Sequence, residues 1–322
     1  MRSNTSIIVS SPDLFLLDPS HLPRTTTAFA ILWTFGVLVF FGVFLNGLVV
    51  TACGLRCFDK PMVTYIAVAS VVDIFWGVTG MTSYTYSMTI GPKLMRFADC
   101  LTQMFFLHVA LMGQFLVISL MYVDRHCAIF WPFTYAHWTA KRSGPFKTLA
   151  VVWFLAVALG LVFVVAATWL NFCSSTVVIN DAICYYGMVS TAACGNKRIP
   201  NTVTGVVLYL VVGHSAVVAA FSTCCIIRKC RKDTGSKALH TCLSQLFFFL
   251  SHFLSIMVTS FLNRGFISNK DAHFVFILIV NSIPLIVNPL VFGLRTKEIR
   301  TPIARVLRRC KNDRRQVTSI SK

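Results

Sequence analysis

The sequence predicts an all-α membrane protein: a seven-transmembrane helix bundle with a short amphipathic cytoplasmic helix. Three observations carry that prediction. Hydrophobic residues make up 56% of the 322 positions and charged residues only 12%, whereas soluble domains carry about a quarter charged residues. Seven apolar runs each reach the length, about 20 residues, that a helix needs to cross a hydrocarbon core. The basic residues gather in the gaps between these runs, unevenly on the two sides.

The chain divides into an outer N-terminal tail (1–27), a helical domain (28–294) and a basic tail (295–322). The tail 1–27 is polar, contains Pro12, Pro19 and Pro23, and has no apolar segment of signal-peptide length. The first run, 28–53, therefore serves as its own insertion signal; it carries Asn46. The second, 62–88, holds Asp73, the one charged residue inside any run. A carboxylate at membrane depth is costly, so Asp73 is a functional candidate by default. With Asn46 and with Asn288 of the seventh run it is expected to form a buried polar cluster, a possible sodium site. The third run, 100–123, opens on Cys100 and ends at an Asp-Arg pair, Asp124-Arg125. Runs four to six span 149–172, 203–227 and 238–263. The seventh, 272–294, contains Pro284 and Pro289, and Pro289 is expected to kink its helix by removing a backbone hydrogen bond.

With the N-terminus outside, 21 of the 29 Lys and Arg residues fall on the inner side, so the C-terminal tail is expected in the cytoplasm and the protein in the plasma membrane. Four of the 12 cysteines, Cys100, Cys173, Cys184 and Cys194, then face the oxidising side, which fits two disulfides with three pairings open. The sequon at Asn4 also lies outside and is expected to be glycosylated. The inner tail sets Ile299, Ile303, Val306 and Leu307 at helical spacing among arginines, the pattern of a helix lying on the inner leaflet. Cys310 beside it is a candidate palmitoylation site. The net charge of +18 belongs to this topology, so the bilayer and not nucleic acid is the expected partner. No phosphate-binding glycine loop, zinc spacing or nucleophile motif appears. No enzyme activity and no cofactor are expected.

Five segments carry a resemblance. "MYVDRHCAIFWPFTY" (121–135), "CLTQMFFLH" (100–108), "KALHTCLSQL" (237–246), "PLIVNPLVFGLRTKEIR" (284–300) and "KPMVTYIAVASVVD" (60–73) resemble, in order and in register, the signatures of odorant receptors, a rhodopsin-like G-protein-coupled receptor family. The resemblance runs from about Asn46 to Arg300. It implies a receptor that binds a small-molecule odorant within the bundle and activates a heterotrimeric G protein of the stimulatory olfactory type, through cyclic AMP. It implies Cys100–Cys184 and Cys173–Cys194 disulfides, and a G-protein switch at Asp124 and Arg125. The alternatives are a non-olfactory rhodopsin-like receptor and, less in keeping with the sequence, a small-solute transporter.

A bundle pocket is mostly apolar with a few polar anchors. His108, Leu111 and Met112 on the third run, and Phe253 and Met257 on the sixth, are the candidate lining. Arg264 at the outer end of the sixth is a candidate anchor, with His108, for a carboxylate. The chain departs from the family at His126 and Phe292, which stand where tyrosines are expected, and at Gln245 and Leu254, which replace a His and a Gly. His126 reads as an exposed loop histidine, and the inner switch as lacking its usual hydroxyls.

Overall fold

The computed structural model of the chain describes residues 12–18, 26–55, 61–140, 143–179, 181–233, 236–262 and 270–295. In chain order the elements are β1 (Leu14–Leu17), α1 (Thr26–Leu55), α2 (Pro61–Thr89), β2 (Lys93–Arg96), α3 (Phe97–Phe130), α4 (Pro132–Ala140), α5 (Ser143–Thr168), β3 (Thr176–Ile179), α6 (Tyr186–Ala192), α7 (Arg198–Asp233), α8 (Ser236–Leu262) and α9 (Lys270–Arg295).

Six of these helices, α1, α2, α3, α5, α7 and α8, are long and apolar enough to cross a membrane. The seventh, α9, carries a shorter apolar stretch, Leu278–Phe292, within its 26 residues. The seven apolar runs thus map onto seven helices. Their faces are inverted relative to a soluble protein. Phe40, Phe44, Phe154 and Leu210 are exposed, as expected where lipid replaces water around the bundle. The interior is centred on α3, of which Met104, Met112, Phe115, Ile118 and Tyr122 are buried.

Two of the boundary shifts relative to the sequence reading bear on the site. The third helix continues past residue 123 to Phe130, so His126 is helical rather than in a loop. The fourth span ends at Thr168 rather than 172, and a turn at 169–170 precedes Cys173.

Close helix approach is built from glycines. A Cβ on Gly160 of α5 would lie 2.5 Å from Val109 Cγ2 and 3.2 Å from the Val109 nitrogen, so α5 rests on the backbone of α3. Gly42 of α1 and Gly77 of α2 both make room for Leu285 of α9. Small residues at such crossings let spanning helices pack without a hydrophobic driving force.

Outside the bundle lies a feature that the all-helical reading did not anticipate: a three-stranded sheet in the order β2-β1-β3. The N-terminal strand β1 is its centre. It runs antiparallel to β2, pairing Leu14 with Arg96, and parallel to β3, pairing Leu14 with Thr176. Phe15 and Leu17 are fully buried, and Phe15 packs against Phe97 and Phe172 at 5.6 and 5.7 Å between ring centroids. Four-residue strands are too short for their alternation to stand out in sequence. Leu14, Phe15, Leu16 and Leu17 simply read as a greasy patch in a polar tail.

Candidate functional site

The buried polar centre begins with α9. Pro289 has no N–H, which leaves the carbonyl four residues earlier, that of Leu285, without its helical donor. Asn46 of α1 supplies one: its Nδ2 donates to Leu285 O at 2.8 Å and to Gly42 O at 2.9 Å. Asn46 thus holds α1 to the weakened turn of α9. The expected cluster of Asn46, Asp73 and Asn288 is in this respect divided, since the side chain that meets Asp73 is Asn288, whose Nδ2 donates to Asp73 Oδ2.

Two further groups join Asp73. Gln114 Nε2 of α3 donates to Asp73 Oδ1 at 3.3 Å and lies 3.1 Å from His252 Nε2 of α8. His252 Nε2 is itself 3.6 Å from Asp73 Oδ1. Four helices, α2, α3, α8 and α9, therefore meet at one carboxylate that is 3% exposed. Neither Gln114 nor His252 is among the candidate residues read from the sequence above. The signal was present in both, as polar residues inside spanning segments.

At the end of the bundle that carries the sheet, disulfides join Cys100 to Cys184 and Cys173 to Cys194. Gln103 Oε1 accepts the Cys184 N–H at 3.0 Å, tying the loop further to α3. Next to it, Asp181 is 5% exposed, and its Oδ1 accepts the N–H groups of Ala182 and Ile183 at 2.6 and 3.2 Å. Burial pushes its carboxyl up to about 7, against the lowering effect of those two N–H groups. Ala182 and Ile183 pack with Leu107, Trp76, Tyr84 and Tyr185. The loop closes over the mouth between α2 and α3.

The candidate pocket residues are not equivalent. Met112 is fully buried in the core, and Leu111 packs against it from a partly buried position. Phe253 stacks on Phe249 at 5.6 Å, and Met257 is partly buried. His108 turns toward α5: its ring stacks on Phe163 at 4.0 Å, and its Nδ1 is 2.8 Å from Met104 O. Arg264, Asn4 and Cys310 lie outside the described residues, as does the amphipathic tail beyond Arg295.

At the opposite end of the bundle, Arg125 Nε stands 4.0 Å from Asp124 Oδ2, while Asp124 Oδ1 accepts a hydrogen bond from the Tyr135 hydroxyl of α4 at 2.8 Å. Burial first, then the charge of Asp124, pushes the Tyr135 hydroxyl up. His126 stacks on Phe130 at 4.4 Å and lies near Trp131 and Phe221, which corrects its reading as an exposed loop residue. Lys229 Nζ donates to Ile129 O at 2.8 Å and sits 5.0 Å over the Phe130 ring, so a cation of α7 caps the C-terminal end of α3. The absent hydroxyls have substitutes. Gln245 Nε2 reaches Met121 O at 3.2 Å, and Ser222 Oγ reaches Tyr122 O at 3.2 Å. Phe292 packs edge-on against Phe248 at 5.2 Å. On α4, Phe133 projects with 91% exposure; nothing in the sequence pattern distinguished it from its neighbours.

Seven long helices, four of which meet at one buried carboxylate beneath a disulfide-bonded loop, form the frame of a seven-helix membrane protein. The sequence profile described as "Olfactory receptor" covers residues 37–310. Olfactory receptor 52P1 of Homo sapiens is 30% identical, over 77% of this chain and 78% of its own. Olfactory receptor 52N2 of Homo sapiens is 26% identical over 80% and 84%, and olfactory receptor 2AT4 of Homo sapiens 24% identical over 92% and 93%. The chain belongs to the olfactory receptor family of rhodopsin-like G-protein-coupled receptors, which are not enzymes.

Proposed function

We propose that this receptor sits in the plasma membrane with its N-terminus outside and its C-terminus in the cytoplasm. It binds a small-molecule odorant within the bundle and activates the stimulatory olfactory G protein, raising cyclic AMP. The observation that carries this reading is the junction of α2, α3, α8 and α9 at Asp73, between the closed outer loop and the inner Asp124-Arg125 pair. A ligand acts on such a bundle only through its differential affinity for two arrangements, and a four-helix polar junction is an element with more than one way to pair. The orientation is supported by the 21 of 29 basic residues on the inner side.

Leu111, Met112, Phe253 and Met257 form the apolar lining, with His108 at its α5 side. Among the described atoms a carboxylate anchor rests on His108 Nε2 alone, because Met104 O holds Nδ1. Asp124 and Arg125 are the switch, with Tyr135 holding the acid and the exposed Phe133 offering an apolar contact to the G protein. The tail 295–322 follows as a membrane-surface helix, with Cys310 as its lipid attachment and Asn4 as the glycan site on the outer tail.

The test is a cyclic-AMP assay in cells that express the receptor with the olfactory stimulatory G protein, screened against acid, alcohol, ester and amine odorants. Wild type should respond to at least one class. Arg125→Ala, matched for surface amount, should lose that response. A full response from Arg125→Ala would refute the assigned switch. A cyclic-AMP signal absent while another G-protein class responds would refute the assigned coupling.

A further inference from the structure

Polar side chains on the lipid-facing surface commonly close on their own helix. Thr34 and Thr51 of α1 and Thr82 of α2 are exposed, and each hydroxyl donates to the carbonyl four residues earlier, at 2.8, 2.8 and 2.7 Å. His108 of α3 likewise sets Nδ1 2.8 Å from Met104 O. His214 of α7 differs. Its side chain is exposed, and among the described residues no hydrogen bond or ion pair holds its ring.

The depth of His214 makes this costly. The span of α7 runs from Arg198 to Lys229, with a cation at either end. At about 1.5 Å per residue, His214 lies about 24 Å along the axis from Arg198 and about 22 Å from Lys229. A hydrocarbon core is about 30 Å thick, so the ring stands near its middle and reaches neither interface. Lipid chains offer no donor and no acceptor, and a polar group left unpaired among them is unfavourable. Ionisable residues at this depth turn to a polar partner. The bundle itself gives His214 none among the described residues, so the partner must come from outside it.

The face around His214 is open to such a partner. Leu210, Val217 and Phe221 are exposed beside it. A Cβ on Gly205 or Gly213 would meet nothing within 4 Å, so no described part of the chain fills these positions and a second backbone can approach α7 there. The glycines alone would admit any helix; the imidazole selects. A neutral imidazole carries one donor and one acceptor, so it is complementary to itself. Copies of this chain inserted in the same orientation also bring His214 to the same depth. We propose that α7 is the interface of a parallel two-fold dimer of this receptor. The N–H of one His214 ring donates to the bare nitrogen of the other, and the two backbones close beside Gly213. The contact uses the same patch on both copies and is complete at two.

Other coverings match less well. A lipid chain fills the space over the glycines but leaves the imidazole unpaired. A different membrane protein would have to carry a polar group at one particular depth, which a second copy does by necessity. The groove between α5 and α7 shows the contrast. It has a volume of about 210 Å³ and is lined by Ala158, Val162, Val165, Trp169 and Val203. No ionisable group lines it, and lipid alone satisfies it.

The inference rests on α7 crossing the bilayer and not on ligand or coupling, so its test needs neither odorant nor G protein. Full-length receptor carrying one dye at its C-terminus would be reconstituted into phosphatidylcholine vesicles at several protein-to-lipid ratios. Stepwise photobleaching would count the copies that move together. Wild type should form dimers above the coincidence expected of independent copies. His214→Leu suits a lipid-facing position and should fold; its dimer dissociation constant should rise about 3- to 30-fold, the worth of one hydrogen bond between spanning helices. His214→Gln keeps a donor and an acceptor and should retain more dimer than His214→Leu. Gly213→Leu leaves the imidazole in place and should weaken the dimer by holding the backbones apart. In membranes, oxidative cross-linking of Val217→Cys should exceed that of Phe40→Cys, a comparably exposed position on α1. Wild type that stays monomeric at every ratio would overturn the proposal, including where α7 captures a different membrane protein instead. So would a His214→Leu dimer as tight as wild type, or equal cross-linking from the two cysteine positions.

Discussion

Replacing Asp181 with Asn removes a buried carboxyl while keeping the oxygen that the Ala182 and Ile183 N–H groups require. The native carboxyl titrates near 7 because of burial, against an ordinary value of 3.8. The folded state therefore holds a proton that the unfolded state releases. The associated stability is complete below about pH 4 and is lost as pH rises through 7. A displacement of this size corresponds to about 4 kcal/mol in all, of which about 2–3 kcal/mol falls between pH 5 and 8. The assay is thermal unfolding of wild type and Asp181→Asn at pH 5 and pH 8. The variant should gain on wild type by about 5–10 °C between the two values, on the usual scaling of midpoint with free energy. Parallel pH curves for the two proteins would refute the argument, because Asp181 would then titrate alike in both states.

Gly160→Val forces atoms onto the Val109 backbone, 3.2 Å from where the first carbon would sit. Overpacking of this kind costs about 1–3 kcal/mol, and surface expression and thermal midpoint should both fall, whereas Gly47→Val, with open space around it, should change little. Tyr135→Phe leaves the buried Asp124 Oδ1 without its 2.8 Å donor; at about 1.5–3 kcal/mol for a hydrogen bond to a charged group, amide exchange across 132–140 should accelerate while the rest of the bundle keeps its protection. Phe15→Ala empties the space between Phe97 and Phe172 at about 3–5 kcal/mol. Limited proteolysis should then cut within 12–18 without loss of the bundle, and resistance there equal to wild type would show that the strand is held by its backbone pairing alone.

The seven helices were legible because the bilayer permits few alternatives: a run of about 20 apolar residues has nowhere else to put its backbone polar groups. The inner pair Asp124-Arg125 and the four outer cysteines stood out because their residue types are rare in such surroundings. The junction at Asp73 was only partly legible. Asp73 and Asn288 announce themselves as polar residues at membrane depth, but Asn46 was drawn to the carbonyl that Pro289 frees, a backbone vacancy that no side-chain pattern records. Gln114 and His252 are polar at membrane depth as well, yet which helix face each presents depends on packing between helices distant in sequence. His108 shows the converse. Its position on the third helix suggested the mouth, and contact with Phe163 turned it to α5. The sheet escaped because its strands are four residues each and pair a tail with two loops.

The sheet sets an order of events during synthesis. β1 leaves the ribosome before either of its partners, and its parallel partner begins at Thr176, 162 residues after Leu14. At about 5–20 residues per second, the first strand exists for about 8–32 s before its second neighbour has been made. Over that interval Phe15 and Leu17 have half a sheet at most, and the antiparallel pairing with β2 is all that holds them. The sheet end of the receptor is therefore completed only after the fourth spanning helix has been delivered, and β1 is the piece that waits for it.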